Sequence, residues 1–111
     1  MYISIVEIDL PEGIDLAALR EVFREAGRRY TNVEGLLRKY YTLKGDSITG
    51  GVFVWDTLEH AKAGHADADW REIIRNRYGS EPRVTFYEVP VIVDNVIGEV
   101  LEASDYLEIA S

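Results

Sequence analysis

The chain has 111 residues, with 12 Lys and Arg against 20 Asp and Glu, for a formal net charge of -8. That length suits one domain around a single core, and the negative field repels nucleic acid and anionic lipid, so neither is expected as a partner. No cysteine is present, which removes disulfides, thiolate metal sites and thiol nucleophiles and fits a reducing compartment.

MYISIVEIDLPEG lacks the basic segment, apolar core and small-residue cleavage site of a secretory signal, and no apolar run is long enough to span a membrane. A cytoplasmic protein is the expectation. Tyr2 to Leu10 reads as a strand, with Tyr2, Val6, Ile8 and Leu10 on one face. Pro11-Glu12-Gly13 ends it, and Asp15 is placed to cap a helix. Leu16, Leu19, Phe23, Ala26 and Tyr30 then recur at three- and four-residue steps as one apolar stripe. The neighbouring Arg20, Arg24, Arg28 and Arg29 are interleaved with Glu21 and Glu25, the pattern of a solvated, ion-paired helix face rather than a phosphate site.

Gly35 to Trp55, GLLRKYYTLKGDSITGGVFVW, reads as two strands joined by a turn at Lys44-Gly45-Asp46-Ser47. With Leu43 opposite Ile48, one face carries Leu37, Lys39, Tyr41, Gly50, Val52 and Val54. The other carries Leu36, Arg38, Tyr40, Gly51, Phe53 and Trp55. Neither face is polar, so both need a cover.

Asp56 and Glu59 are spaced as a capping box for a second helical region, with Gly64 as its expected interruption and Asp67 as its restart. Trp70, Ile73, Ile74 and Tyr78 form its apolar stripe, which Gly79 and Pro82 stop. Arg83 to Val89 is the fourth main strand. The order β-α-β-β-α-β predicts an α+β, ferredoxin-like antiparallel sheet with helices on one face. A second copy packed on the other face would make a dimeric α+β barrel, so a homodimer is expected. The domain is placed at 1–94. The extension 95–111 is too apolar for a free tail and is expected to dock on the partner subunit.

Residues 35–95 resemble the dimeric α+β barrel superfamily, in particular its small monooxygenases of the antibiotic-biosynthesis type. The similarity rests on GLLRKYY, on GGVFVWDTLEHA with its Trp55-Asp56-Thr57 step, on YGSEPRVTFYEVPVIVDN, and on His65 in the second helical region. The resemblance implies an apolar pocket for a small molecule and an oxygenase that uses no metal or flavin. Such enzymes deprotonate an electron-rich phenol or anthrone, whose carbanion then meets dioxygen. The chemistry needs a base and donors that hold an enolate.

Lys39 and Tyr41 offer an ammonium and a phenol two residues apart on one strand face, and His65 offers a base near neutrality. These three are the expected catalytic residues. Trp55, Phe53, Tyr40 and Arg38 are the expected pocket wall for an aromatic ligand. The competing readings are Lys39 paired to Glu7 or Glu88, Tyr41 packed over Gly50, the aromatic residues as plain core, and His65 as a surface residue in a helix break. His60 and His65 do not share a helix face, and Asp67 with Asp69 reads as an acidic first turn, so no metal is expected, and the resemblance implies no cofactor. A haem-degrading activity would need a strand-1 amide, and strand 1 offers Glu7 and no asparagine. The alternatives to an enzyme are a non-catalytic small-molecule binding or stress-response module, or a filled barrel whose surface serves protein contacts.

Overall fold

The structure is a computed structural model that describes residues 1–110; Ser111, the end of the expected extension, lies outside the described residues. β1 (Tyr2–Asp9), β2 (Leu36–Lys44), β3 (Ile48–Trp55) and β4 (Arg83–Glu88) form one antiparallel sheet in the order β2-β3-β1-β4. α1 (Leu16–Gly27) links β1 to β2, and α2 (Leu58–Ala66) with α3 (Ala68–Tyr78) links β3 to β4. This is the predicted ferredoxin-like α+β arrangement.

Local chemistry sets the helix ends. Asp15 accepts from the N–H groups of Ala17 and Ala18 at 3.0 and 3.2 Å and starts α1. Thr57, rather than the expected Asp56, caps α2 by accepting from His60 N–H at 3.2 Å. Asp56 instead accepts from Thr57 N–H and meets the His60 ring at 2.7 Å. α2 also runs through Gly64 without a break. The break falls at Asp67, which caps α3 through Asp69 N–H at 2.8 Å. Gly79, at a φ of 71°, closes α3 in the left-handed conformation that a side chain disfavours.

The β2–β3 hairpin departs from the predicted register by one residue. Lys44 pairs with Ile48, so Leu43 lies opposite Thr49 and not Ile48. The loop is the three residues 45–47, with Gly45 at a φ of 54°. Because side chains alternate, one step moves a whole set to the other face. Lys39 is therefore opposite Phe53, and Tyr41 opposite Gly51. A bulge between Leu36 and Arg38 restores Leu36 to the position opposite Trp55.

The face under the helices thus gathers Ser4, Val6 and Ile8 of β1 with Lys39, Tyr41, Phe53 and Trp55. Val6, Ile8, Leu19, Phe53, Trp55, Ala61, Ile74 and Tyr78 make the buried core. The other face carries Ile3, Ile5, Val52 and Val54, with Tyr40 and Tyr87 about half exposed. Beyond β4 the chain forms a separate hairpin, β5 (Val91–Asp94) paired to β6 (Glu99–Glu102), and then α4 (Ala103–Ala110). α4 brings Tyr106 to 5.9 Å from the Arg38 guanidinium. No helix among the described residues is long and apolar enough to cross a membrane.

Candidate functional site between sheet and helices

A cavity of ≈210 Å³ lies between the sheet and helices α1 and α3. Val6 and Ile8 form its floor, Phe23 and Ile74 its apolar sides, and Lys39 and Tyr41 bring it polar groups from β2. Arg29, Arg77, Asp67 and Asp69 contribute further charged side chains to the lining.

Lys39 is the unusual member. Its Nζ sits 3.4 Å from the Tyr30 ring centroid, 4.0 Å from that of Tyr41 and 4.8 Å from that of Phe53. Among the described residues no carboxylate pairs with it, and Glu7, the acid first considered, lies on the opposite sheet face. Loss of water destabilises the ammonium, and Arg77 adds repulsion, so the pKa falls to about 7. The ring faces attract the cation and oppose that shift in part. Gly51 makes the space: a Cβ there would stand 3.2 Å from the Phe53 ring and 3.6 Å from Lys39 Cε.

Tyr41 stacks on Phe23 with centroids 4.6 Å apart. Its Oη is buried without a hydrogen-bond partner among the described residues. Burial raises its pKa far above the usual phenol value, and so it stays a protonated donor at neutral pH.

His65 is buried rather than at the surface, at 3% exposure. Its Nε2 is 2.6 Å from Ser4 Oγ, and Trp55 Nε1 donates to the same oxygen at 2.9 Å. Phe53, Trp55 and Trp70 surround the ring with centroids at 4.7, 5.7 and 4.8 Å. Burial first, then the charges of Lys39 and Arg71, lower its pKa to about 4, so the imidazole is neutral at pH 7. His65 lines an adjoining cavity of ≈110 Å³, which shares Tyr30, Phe53, Asp67 and Trp70 with the larger one.

The structure therefore gathers Lys39, Tyr41 and Phe53 around one cavity, with Trp55 and His65 in the next. Arg38 and Tyr40 are corrected: the register shift puts them on the opposite face, both exposed. Tyr30 and Ser4 were not singled out from the sequence. Tyr30 ends the apolar stripe of the first helix, and Ser4 is a lone polar residue at a core position of β1; both signals were present. At the surface His60 also meets Glu34 at 3.3 Å. Among the described residues no group of three or more His, Asp or Glu side chains is arranged to hold a metal ion.

Sheet order and helix placement define the class of fold as ferredoxin-like α+β. Compared by sequence, the chain matches no family model and no curated protein. Among solved structures it is similar to a candidate antibiotic biosynthesis monooxygenase from Deinococcus radiodurans. That match has 16% identity and a TM-score of 0.66, and it covers 85% of this chain and 97% of that one. It is similar also to the ActVA-Orf6 monooxygenase of Streptomyces coelicolor in complex with nanaomycin D. Identity there is 16%, the TM-score 0.62, and the match covers 79% of this chain and 86% of the other. A variant of MhuD, with two manganese protoporphyrin IX molecules bound per active site, matches at 19% identity and a TM-score of 0.62. It covers 85% of this chain and 99% of its own. At these identities the likeness establishes the fold.

Proposed function

We propose that the protein is a cofactor-independent monooxygenase acting on a small phenolic aromatic substrate held in the larger cavity. One observation carries this reading: Lys39, an amine with no acid partner, lines a mostly apolar cavity beside Tyr41, whose buried phenol has no hydrogen-bond partner among the described residues. Cavity volume points to substrate size. A cavity of about 150 Å³ takes benzene, so ≈210 Å³ suits one substituted ring or two fused rings.

In this mechanism Lys39 Nζ, near half neutral at pH 7, accepts the phenolic proton. Tyr41 Oη–H donates to the resulting oxyanion, and the new ammonium stabilises it further against the mostly apolar cavity wall. Charge spreads to a ring carbon, which transfers an electron to dioxygen and then bonds to it, giving a hydroperoxide. Protonation and loss of water leave a quinone. For a naphthol the balance is one naphthol and one dioxygen to one quinone and one water, with no outside reductant. His65, neutral and bonded to Ser4, lines the adjoining cavity with Trp55, and Phe53 stands in the wall of both cavities. In the same reading the chain is a homodimer closed through its open sheet face, with 95–111 docked on the partner.

The test is oxygen uptake with 1-naphthol, with the product analysed after turnover under oxygen-18. One labelled atom per quinone is expected, with uptake lowered at least tenfold in Lys39→Met. A naphthol that binds and returns unchanged from aerated solution would instead identify a non-catalytic binding or stress-response module.

A further inference from the structure

The lysines of this chain are Lys39, Lys44 and Lys62, and the last two are exposed. Lys39 alone of the three is held against rings beside this cavity, and it makes no ion pair with a carboxylate among the described residues. A proton acceptor needs only reach. A nucleophilic amine needs more: a neutral nitrogen, a dry approach for the electrophile, and a nearby donor for the departing oxygen. Here Lys39 has a lowered pKa, lines a mostly apolar cavity and shares its strand face with the Tyr41 phenol.

We propose that Lys39 is an imine-forming amine, and that the cavity also takes an aromatic aldehyde or ketone of one or two rings. The ring of such a compound fits against the apolar sides at Phe23 and Ile74, with its carbonyl carbon at Nζ. Nζ adds to that carbon while Tyr41 Oη–H donates to the carbonyl oxygen. The oxygen leaves as water, carrying both hydrogens of the amine, and a C=N bond remains. No electron changes hands, so no oxidant or reductant is needed. Rings of Tyr30, Tyr41 and Phe53 around Nζ limit water and so slow the return hydrolysis. Arg77 disfavours the ammonium, whereas Asp67 and Asp69 of the lining make no ion pair with Nζ. This activity goes beyond oxygenation, although the two share the amine.

The experiment is reductive trapping on the intact wild-type chain at pH 7, with 2-naphthaldehyde and cyanoborohydride, followed by peptide mass mapping. Lys39 has a pKa of about 7, against about 10.4 for an ordinary lysine. Its neutral fraction is thus about half, against about one in 2,500 for a lysine at the ordinary value. Labelling of Lys39 at least about tenfold faster than of Lys44 or Lys62 is expected. In Tyr41→Phe, Lys39 labelling should slow several-fold while Lys44 and Lys62 keep their rates, an internal control for reagent reactivity. Equal labelling of all three lysines by 2-naphthaldehyde would overturn the proposal. Selective labelling by formaldehyde but not by 2-naphthaldehyde would overturn the aromatic carbonyl as ligand. Trapping at Lys39 without oxygen uptake would sink the oxygenase reading alone, and uptake without trapping would sink this one alone.

Discussion

Ser4 Oγ lies 2.6 Å from Nε2 of His65, although 61 positions separate the two residues. Trp55 Nε1 can only donate, and it donates to the same oxygen. With the Ser4 hydroxyl donating to Nε2 and accepting from the indole, the ring proton lies on Nδ1, which is buried without a hydrogen-bond partner among the described residues. One small hydroxyl thus joins β1, β3 and α2 inside the core. Ser4→Ala would remove little volume but leave an indole N–H and an imidazole nitrogen buried and unpaired. A loss of about 1–3 kcal/mol is expected, read as a lower urea midpoint at unchanged slope. No change in midpoint would mean that the three groups are not coupled.

His65 also ties stability to pH. Its folded pKa of about 4 lies below the unfolded value of 6.5, so between those values the unfolded chain binds more protons. Stability therefore falls as pH drops from 6.5 towards 4, by up to about 3 kcal/mol for this group alone. His65→Phe removes the titration, and so the stability gap between wild type and variant should narrow from pH 7 to pH 4.5. His60 works in the opposite sense: its hydrogen bond to Asp56, with Glu34 adding, raises its pKa. That contribution is full below 6.5 and fades as pH climbs through the raised value. His60→Ala should cost stability at pH 6 and less at pH 9, and an equal cost at both would discard the ionic account.

Much of this architecture was legible in the chain. Asp15, Asp67 and Gly79 act as their residue types dictate, and the stripe from Leu16 to Tyr30 faces the sheet as its spacing requires. What the sequence left ambiguous was the hairpin register, because Lys44 to Ser47 reads as either a four- or a three-residue loop. With apolar residues on both faces of β2 and β3, no polar stripe pointed to the right choice. That single step separated Lys39 from Phe53 on paper and joined Phe53 to Arg38 and Tyr40. The candidate site was thus named in part and wrongly grouped. The burial of His65 was hidden for another reason: its partner, Ser4, comes from a distant strand.

Gly64 in α2 illustrates packing over propensity. Alanine is the better helix former by about 1 kcal/mol, yet a Cβ on Gly64 would stand 2.5 Å from Trp55 Cη2. Trp55 is 1% exposed and fixed by its bond to Ser4, so it has little room to yield. Gly64→Ala is expected to destabilise by about 1–3 kcal/mol through overpacking. Thermal unfolding measures this directly, and a raised midpoint would show that α2 can slide away from the ring.

The apolar residues outside the core bear on assembly. Val93 and Val100 pair across the β5–β6 hairpin and are 67% and 70% exposed, while Val96 at its tip is 96% exposed. Tyr87 stands 52% exposed on the open sheet face, next to Ile3 across the ladder. Two separate apolar surfaces on so small a chain indicate contact sites, and the proposed homodimer uses both. Light scattering should give about twice the 12.6 kDa chain mass. Tyr87→Glu would place a charge in the sheet-to-sheet contact, and Val93→Glu with Val100→Glu would do so in the arm. If 95–111 docks on the partner, both variants should shift the protein towards monomer. A shift with Tyr87→Glu alone would leave the sheet contact and remove the arm from it. A wild-type monomer at micromolar concentration would remove the barrel altogether, and the cavity beneath the helices would then have to function within a single chain.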